Sequence, residues 1–184
     1  DFICDSCDNT HNNPDDGLDG CVAIGYNAMG AGDLVAPHYT IAIGQNALLN
    51  LANGDKNIAI GYQALEEATS NDRCLAIGYQ AMDSVDGGEA DNIAIGYNAM
   101  KGMNHDQCDS NVAIGNYTMD AVSTNIAYNN TCVGHNSFTA LTSGIQNVAI
   151  GTTSGDALQT GDNNVFIGRD SASETVDVDS AVII

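Results

Sequence analysis

The stretch NIAIGYQAL at 57–65 returns as CLAIGYQAM at 74–82 and as NIAIGYNAM at 92–100. Aligned on the glycine, nine copies fall at Gly25, Gly44, Gly61, Gly78, Gly96, Gly115, Gly134, Gly151 and Gly168. Successive glycines lie 19, 17, 17, 18, 19, 19, 17 and 17 residues apart. A near-constant period that absorbs small insertions is the mark of a solenoid, in which each repeat is one coil that cannot bury its apolar side alone. The expected fold is therefore an all-β-dominated solenoid, a parallel β-roll or β-helix of about nine coils, stacked ~4.8 Å apart into a body about 43 Å long.

The repeat columns assign work to each position. One residue before the glycine stand Ile24, Ile43, Ile60, Ile77, Ile95, Ile114, Val133, Ile150 and Ile167, and three before it stand Val22, Ile41, Ile58, Leu75, Ile93, Val112, Thr131, Val148 and Val165. Spacing of two with β-branched residues predicts a short strand whose Ile/Val side faces the core. The glycine supplies a backbone conformation closed to other residues, or a tight turn. Beyond it, large apolar residues recur four positions on (Met29, Leu48, Leu65, Met82, Met100, Met119, Phe138) and seven on (Leu51, Ala68, Val85, Met103, Val122, Leu141, Leu158). That spacing predicts a short helical turn, since residues three apart share a helix face. Loops such as NGDKN and DGGEADN carry the Asp, Asn and Gly of turns.

One column asks for a second chain. Two before the glycine stand Ala23, Ala42, Ala59, Ala76, Ala94, Ala113, Cys132 and Ala149, with Phe166 in the last repeat, and four before it Asn is the commonest residue. Alanine is a poor strand former, so a column kept this small implies that another backbone comes close. The expected oligomer face is this alanine column, packed against sister chains around a shared axis. The competing reading is a tightly wound single coil that packs its own turn there.

The unit N-[VI]-A-I-G-x-x-A-[LM] resembles the head repeats of trimeric autotransporter adhesins and the equivalent repeats of bacteriophage and large-virus tail or capsid fibres. The match runs from Cys21 to about Ser171. The resemblance implies a homotrimeric β-roll that spaces or presents a receptor-binding surface. The period of 17 to 19 residues exceeds the shorter unit usual in bacterial adhesin heads and suits fibre-type proteins better.

The chain divides into an N-terminal cysteine-containing cap or linker (1–20), the repeat solenoid (21–172), and a C-terminal cap or incomplete tenth coil (173–184). Four basic residues against 24 acidic ones give a net charge of −20. Such a surface repels nucleic acid and anionic membrane, and no apolar run reaches the ~18–20 residues that span a bilayer. Neither partner is expected. Disulfide stapling of the cap by Cys4, Cys7 or Cys21 is expected in an oxidising extracellular setting. Cys21 and Cys74 occupy equivalent columns three coils apart, about 14 Å at the strand spacing, too far to pair. Cys132 reads as a buried small hydrophobe near the shared axis.

The chemistry-bearing residues form no constellation. His11, His38, His105 and His135 share no ligand spacing, and no nucleophile, zinc or phosphate-loop motif occurs. No cofactor is expected beyond weak calcium candidates at Asp15, Asp16 and Asp19, where loop oxygens could converge. Asn116 and Asn129 begin glycosylation sequons.

The sequence therefore reads as a non-enzymatic structural fibre or adhesin segment, a rigid homotrimer on a virion or cell exterior that attaches to a cell-surface receptor or glycan. The alternatives are a subunit of a self-assembling extracellular filament or sheath, and a glycan-cleaving tailspike-type enzyme, which would need paired carboxylates in a groove.

Overall fold

A computed structural model describes residues 20–30, 37–85, 87–121, 126–174 and 177–184. It contains twelve short strands: β1 (Val22–Ile24), β2 (Ile41–Ile43), β3 (Ile58–Ile60), β4 (Leu75–Ile77), β5 (Ile93–Ile95), β6 (Val112–Ile114), β7 (Ala127–Tyr128), β8 (Thr131–Val133), β9 (Gly144–Ile145), β10 (Val148–Ile150), β11 (Val165–Ile167) and β12 (Val182–Ile183). Ten of them form one parallel sheet in the order β1-β2-β3-β4-β5-β6-β8-β10-β11-β12, while β7 and β9 pair separately. Register is constant: Val22 pairs with Ile41, Ala23 with Ala42 and Ile24 with Ile43, and so on down the stack. The chain is a β-solenoid of stacked coils. The strand β12 continues the ladder beyond the ninth glycine by pairing Val182 with Val165.

The glycine column is required by the stacking. Gly96 has φ +142°, and a Cβ there would come within 2.3 Å of the Gly115 carbonyl oxygen. Gly61 stands in the same relation to Gly78, at 2.2 Å. Each of the first eight repeat glycines lies against the backbone of the next, so no side chain fits, whereas a Cβ on the last, Gly168, would meet nothing within 4 Å.

Two expectations about the coil are corrected. No described residue is helical. The segment after each glycine is a series of turns with left-handed residues at the second and fourth positions, for example Asn46 (φ 59°) and Leu48 (φ 51°), a conformation that breaks a right-handed helix. The amide of the fourth residue turns to the next coil instead, as in Leu48 N–H donating to Ala64 O at 3.0 Å. The fourth and seventh side chains do share the interior: Leu48 and Leu51 are both fully buried.

The second correction reverses the strand faces. The alanine column points into the coil's own interior, with Ala42, Ala59, Ala76, Ala94, Ala113, Cys132 and Ala149 fully buried and Ala23 at 7 % exposure. The Ile/Val side points out. The interior is narrow because its opposite wall holds small residues three after the glycine and large ones four after it. Ser137 Oγ, on that wall, reaches Ala149 O at 3.2 Å. The exception confirms the cause. Phe166 replaces alanine where the facing fourth positions are Gly155 and Ala172, and its ring meets Phe138 edge-on at 6.2 Å. A Cβ on Gly155 would strike both rings.

Two polar ladders fix the rise. Buried Asn92, Asn111, Asn130, Asn147 and Asn164 each accept the backbone N–H of the corresponding residue one coil on, as Asn130 Oδ1 does from Asn147 at 3.0 Å. Each also donates Nδ2 to a backbone carbonyl, as Asn130 does to Gly144 O at 2.9 Å. At the outer corner, carboxylates of Asp55, Asp72, Asp109, Asp162 and Asp179 accept N–H groups of the preceding coil at 2.8–2.9 Å. Part of the chain's acidity is therefore structural, a role the composition alone did not disclose.

Candidate interaction face

The reversed strands leave the outer face of the ten-stranded sheet lined by two aliphatic columns, those led by Val22 and by Ile24. Every strand of three residues in this sheet buries its middle residue and leaves its outer two half-buried or exposed. Ile114, Ile150 and Ile167 are 38, 41 and 37 % exposed. These values are modest because each side chain is shielded by its column neighbours, as Ile114 is by Ile95 and Val133. Thr131 is the one polar residue in either column, and neither carries a charge. Nine spacings of ~4.8 Å between the ten strands make the strip ~43 Å long, and two columns roughly 7 Å apart with half a side chain beyond each make it ~11 Å wide, on the order of 400–500 Å². The largest apolar patch on a typical monomer is about 300–600 Å² and is often functional, and this strip is of that size.

A second column runs beside this strip, immediately after the glycines. Tyr62, Tyr79 and Tyr97 stack with ring centroids 5.1 and 5.0 Å apart and planes within 16° and 6°. Tyr117, two residues after its glycine rather than one, continues the stack at 5.2 Å with a 57° tilt, and His135 meets Tyr117 edge-on at 6.1 Å. The corner beyond carries inter-coil polar contacts, including Lys101 Nζ to Gln80 Oε1 at 2.8 Å and to Asp83 Oδ2 at 3.5 Å. On another corner Arg73 forms a forked pair with Asp91 at 2.6 and 2.9 Å, which holds the Asp91 carboxyl below its ordinary range.

The residues singled out in the sequence fall as follows. The nine glycines form one column along the turn. The alanine column is interior, as described. Cys132 is a buried small residue, but within its own coil, with Sγ 3.4 Å from Val112 O. Cys21 Sγ lies 3.1 Å from Pro37 O. Its proposed partners Cys4 and Cys7, and the calcium candidates Asp15, Asp16 and Asp19, lie outside the described residues. Burial pushes the Cys74 thiol up to about 12 and Cys108 to about 11, so neither ionises near neutral pH. Glu89 is fully buried, its carboxylate taking N–H donors from Asn71 Nδ2 at 2.8 Å, His105 at 3.0 Å and Gly87 at 3.2 Å. Burial raises its pKa above the usual carboxylate value.

The face itself was missed because period-two spacing separates two sides of a strand without saying which is inside. A signal was present: the single Phe in the alanine column follows the single Gly in the large-residue column.

No protein-family model, curated protein or solved structure matches the chain. The resemblance to fibre and adhesin repeats therefore rests on the repeat motif alone.

Proposed function

We propose that this chain is a rigid rod segment of a fibre or adhesin on a virion or cell exterior. Three copies associate around an axis parallel to the coil stack, through the outward Ile/Val face, and the loops meet a cell-surface receptor or glycan. The observation that carries the reading is the uncharged, uncovered aliphatic strip on a chain of net charge −20. Its constant register makes the strip self-complementary, since identical side chains recur at one strand spacing along every copy.

Three copies, rather than two, are proposed on the resemblance of the repeat to trimeric fibre and adhesin heads. Buried area does not choose between them: two strips face to face would bury about 800–1,000 Å² in total, and three around an axis bury no more per chain. Around a three-fold axis each strip meets two neighbours and the three close a common apolar core. Stiffness follows from the two internal polar ladders, while insertions collect in the loops, where specificity varies at little cost to the fold.

Sedimentation equilibrium tests the reading. The native chain is expected near three times its 19.0 kDa mass. The Ile77→Glu, Ile95→Glu double variant should fall to one chain mass with its circular dichroism unchanged. A native chain that stays at one mass at micromolar concentration refutes the proposal. A two-chain mass refutes the three-fold arrangement.

A further inference from the structure

We infer that the stacked tyrosine column is an oxidative modification site, at which a one-electron oxidant joins Tyr62 to Tyr79 and Tyr79 to Tyr97 as dityrosine staples between successive coils. The three residues hold the same position in consecutive coils, so their Cα atoms are separated by one strand spacing, about 4.8 Å. Their rings lie 5.0–5.1 Å apart and nearly parallel. A radical formed on Tyr79 thus has a partner on each side before it can diffuse to another chain, and such enforced proximity raises effective concentration by orders of magnitude. Rotation about the Cα–Cβ bonds brings the ring carbons next to the hydroxyls into bonding range. The three residues are 37, 43 and 40 % exposed, so the stack is open to an oxidant.

Competing oxidation sinks are withdrawn. The chain has no tryptophan. All five methionines are buried, with Met29 the most exposed at 2 %. Cys74, Cys108 and Cys132 are buried as well. Among the described residues Cys21 is the one thiol that is only partly buried, and it lies three coils from Tyr79, so the phenols of the stack are the oxidisable side chains exposed there.

The oxidant is hydrogen peroxide acting through a haem peroxidase. Each of two phenols gives up one electron and one proton. The resulting phenoxyl radicals join through one ring carbon apiece, forming a C–C bond. Each of those carbons then passes its hydrogen to its own oxygen, restoring both phenols. The peroxide O–O bond breaks and takes up two electrons and two protons to give two waters. The product is two hydrogens lighter than the chain and ties one coil to the next. Because a solenoid comes apart coil by coil, such staples block unwinding. Both residues of each pair belong to one chain, so the inference holds for any oligomeric state.

The test treats the full chain with horseradish peroxidase and hydrogen peroxide, then reads dityrosine fluorescence, chain mass on a denaturing gel and cross-linked peptides. Expected are emission from a band that keeps the single-chain mass, and peptides joining Tyr62 to Tyr79 or Tyr79 to Tyr97. Tyr79→Phe keeps the ring and the stack but removes both parallel phenol pairs, and should lose more than half of the emission. A Tyr26→Phe, Tyr39→Phe variant removes the two most exposed of these phenols, at 73 and 60 %, and should lose little. Emission governed by Tyr26 and Tyr39, or cross-links found only between chains, would overturn the inference.

Discussion

Replacing Asn130 by alanine tests whether the internal asparagine ladder sets the stability of the stack. The side chain makes four hydrogen bonds inside the coil. Its Oδ1 accepts from Asn147 N–H at 3.0 Å and Asn147 Nδ2 at 3.1 Å, and its Nδ2 donates to Gly144 O at 2.9 Å and Asn111 Oδ1 at 3.1 Å. Two of these partners keep another bond: Asn147 Nδ2 still reaches Gly161 O at 2.8 Å, and Asn111 Oδ1 still accepts Asn130 N–H at 3.0 Å. The Gly144 carbonyl stays in the parallel β7–β9 ladder, where Ala127 and Tyr128 pair with Gly144 and Ile145, so only the Asn147 N–H is left without a partner. A buried group left unsatisfied costs about 1–3 kcal/mol, so the expected loss is roughly 1–3 kcal/mol, before any cavity contribution. Domain stability totals only about 5–15 kcal/mol, so the loss should be plain in a urea titration followed by circular dichroism. Amide exchange should accelerate most at Asn147. A loss under about 1 kcal/mol would mean that water entering the vacated space replaces the ladder, and the argument that these side chains fix the rise would fail.

Gly96→Ala should destabilise far more than Gly168→Ala. Both glycines have positive φ, but a Cβ on Gly96 meets the Gly115 carbonyl within 2.3 Å, whereas one on Gly168 meets nothing within 4 Å. Backbone strain alone costs about 1–3 kcal/mol, so thermal unfolding that ranks the two variants equally would remove the stacking explanation. Association of the native chain should tighten as salt rises, because each copy brings a charge of −20 and ions screen that repulsion; sedimentation at two ionic strengths reads the sign. Glu89 gives a pH dependence. Its pKa is raised in the folded chain, so the folded state holds a proton the unfolded state has released. Its contribution is therefore fullest below the ordinary value of 4.5 and declines as pH rises through the folded pKa. The stability of the native chain minus that of Glu89→Gln should fall across this window, by at most about 1.4 kcal/mol per pH unit. A difference that climbs with pH contradicts the assignment.

What could be read from the letters alone was the repeat, and what could not was its inside. The spacing of the glycines defines coils because only a wound chain puts Gly61 against Gly78 and Gly78 against Gly96. The alternation through Val22, Ala23 and Ile24 defines a strand with two unlike sides. Hydrophobicity then argues that Ile and Val lie within and alanine without, and in an ordinary sheet that argument succeeds. It fails here because the coil is so narrow that its two walls share one layer of side chains. The large residues come from one wall only, Leu48, Leu65 and Met82 among them, and the strand wall must be small to meet them. Volume, not hydrophobicity, therefore decides which face is inside. Gly155 and Phe166 carry the proof in the sequence itself: where one wall gives up its bulk, the other supplies it. The displaced Ile and Val side chains remain aliphatic without being needed for the monomer's own core. Solvent alone gives no reason to keep nearly twenty such positions apolar, and it is this outward face, not the alanine column, on which the proposed association of copies rests.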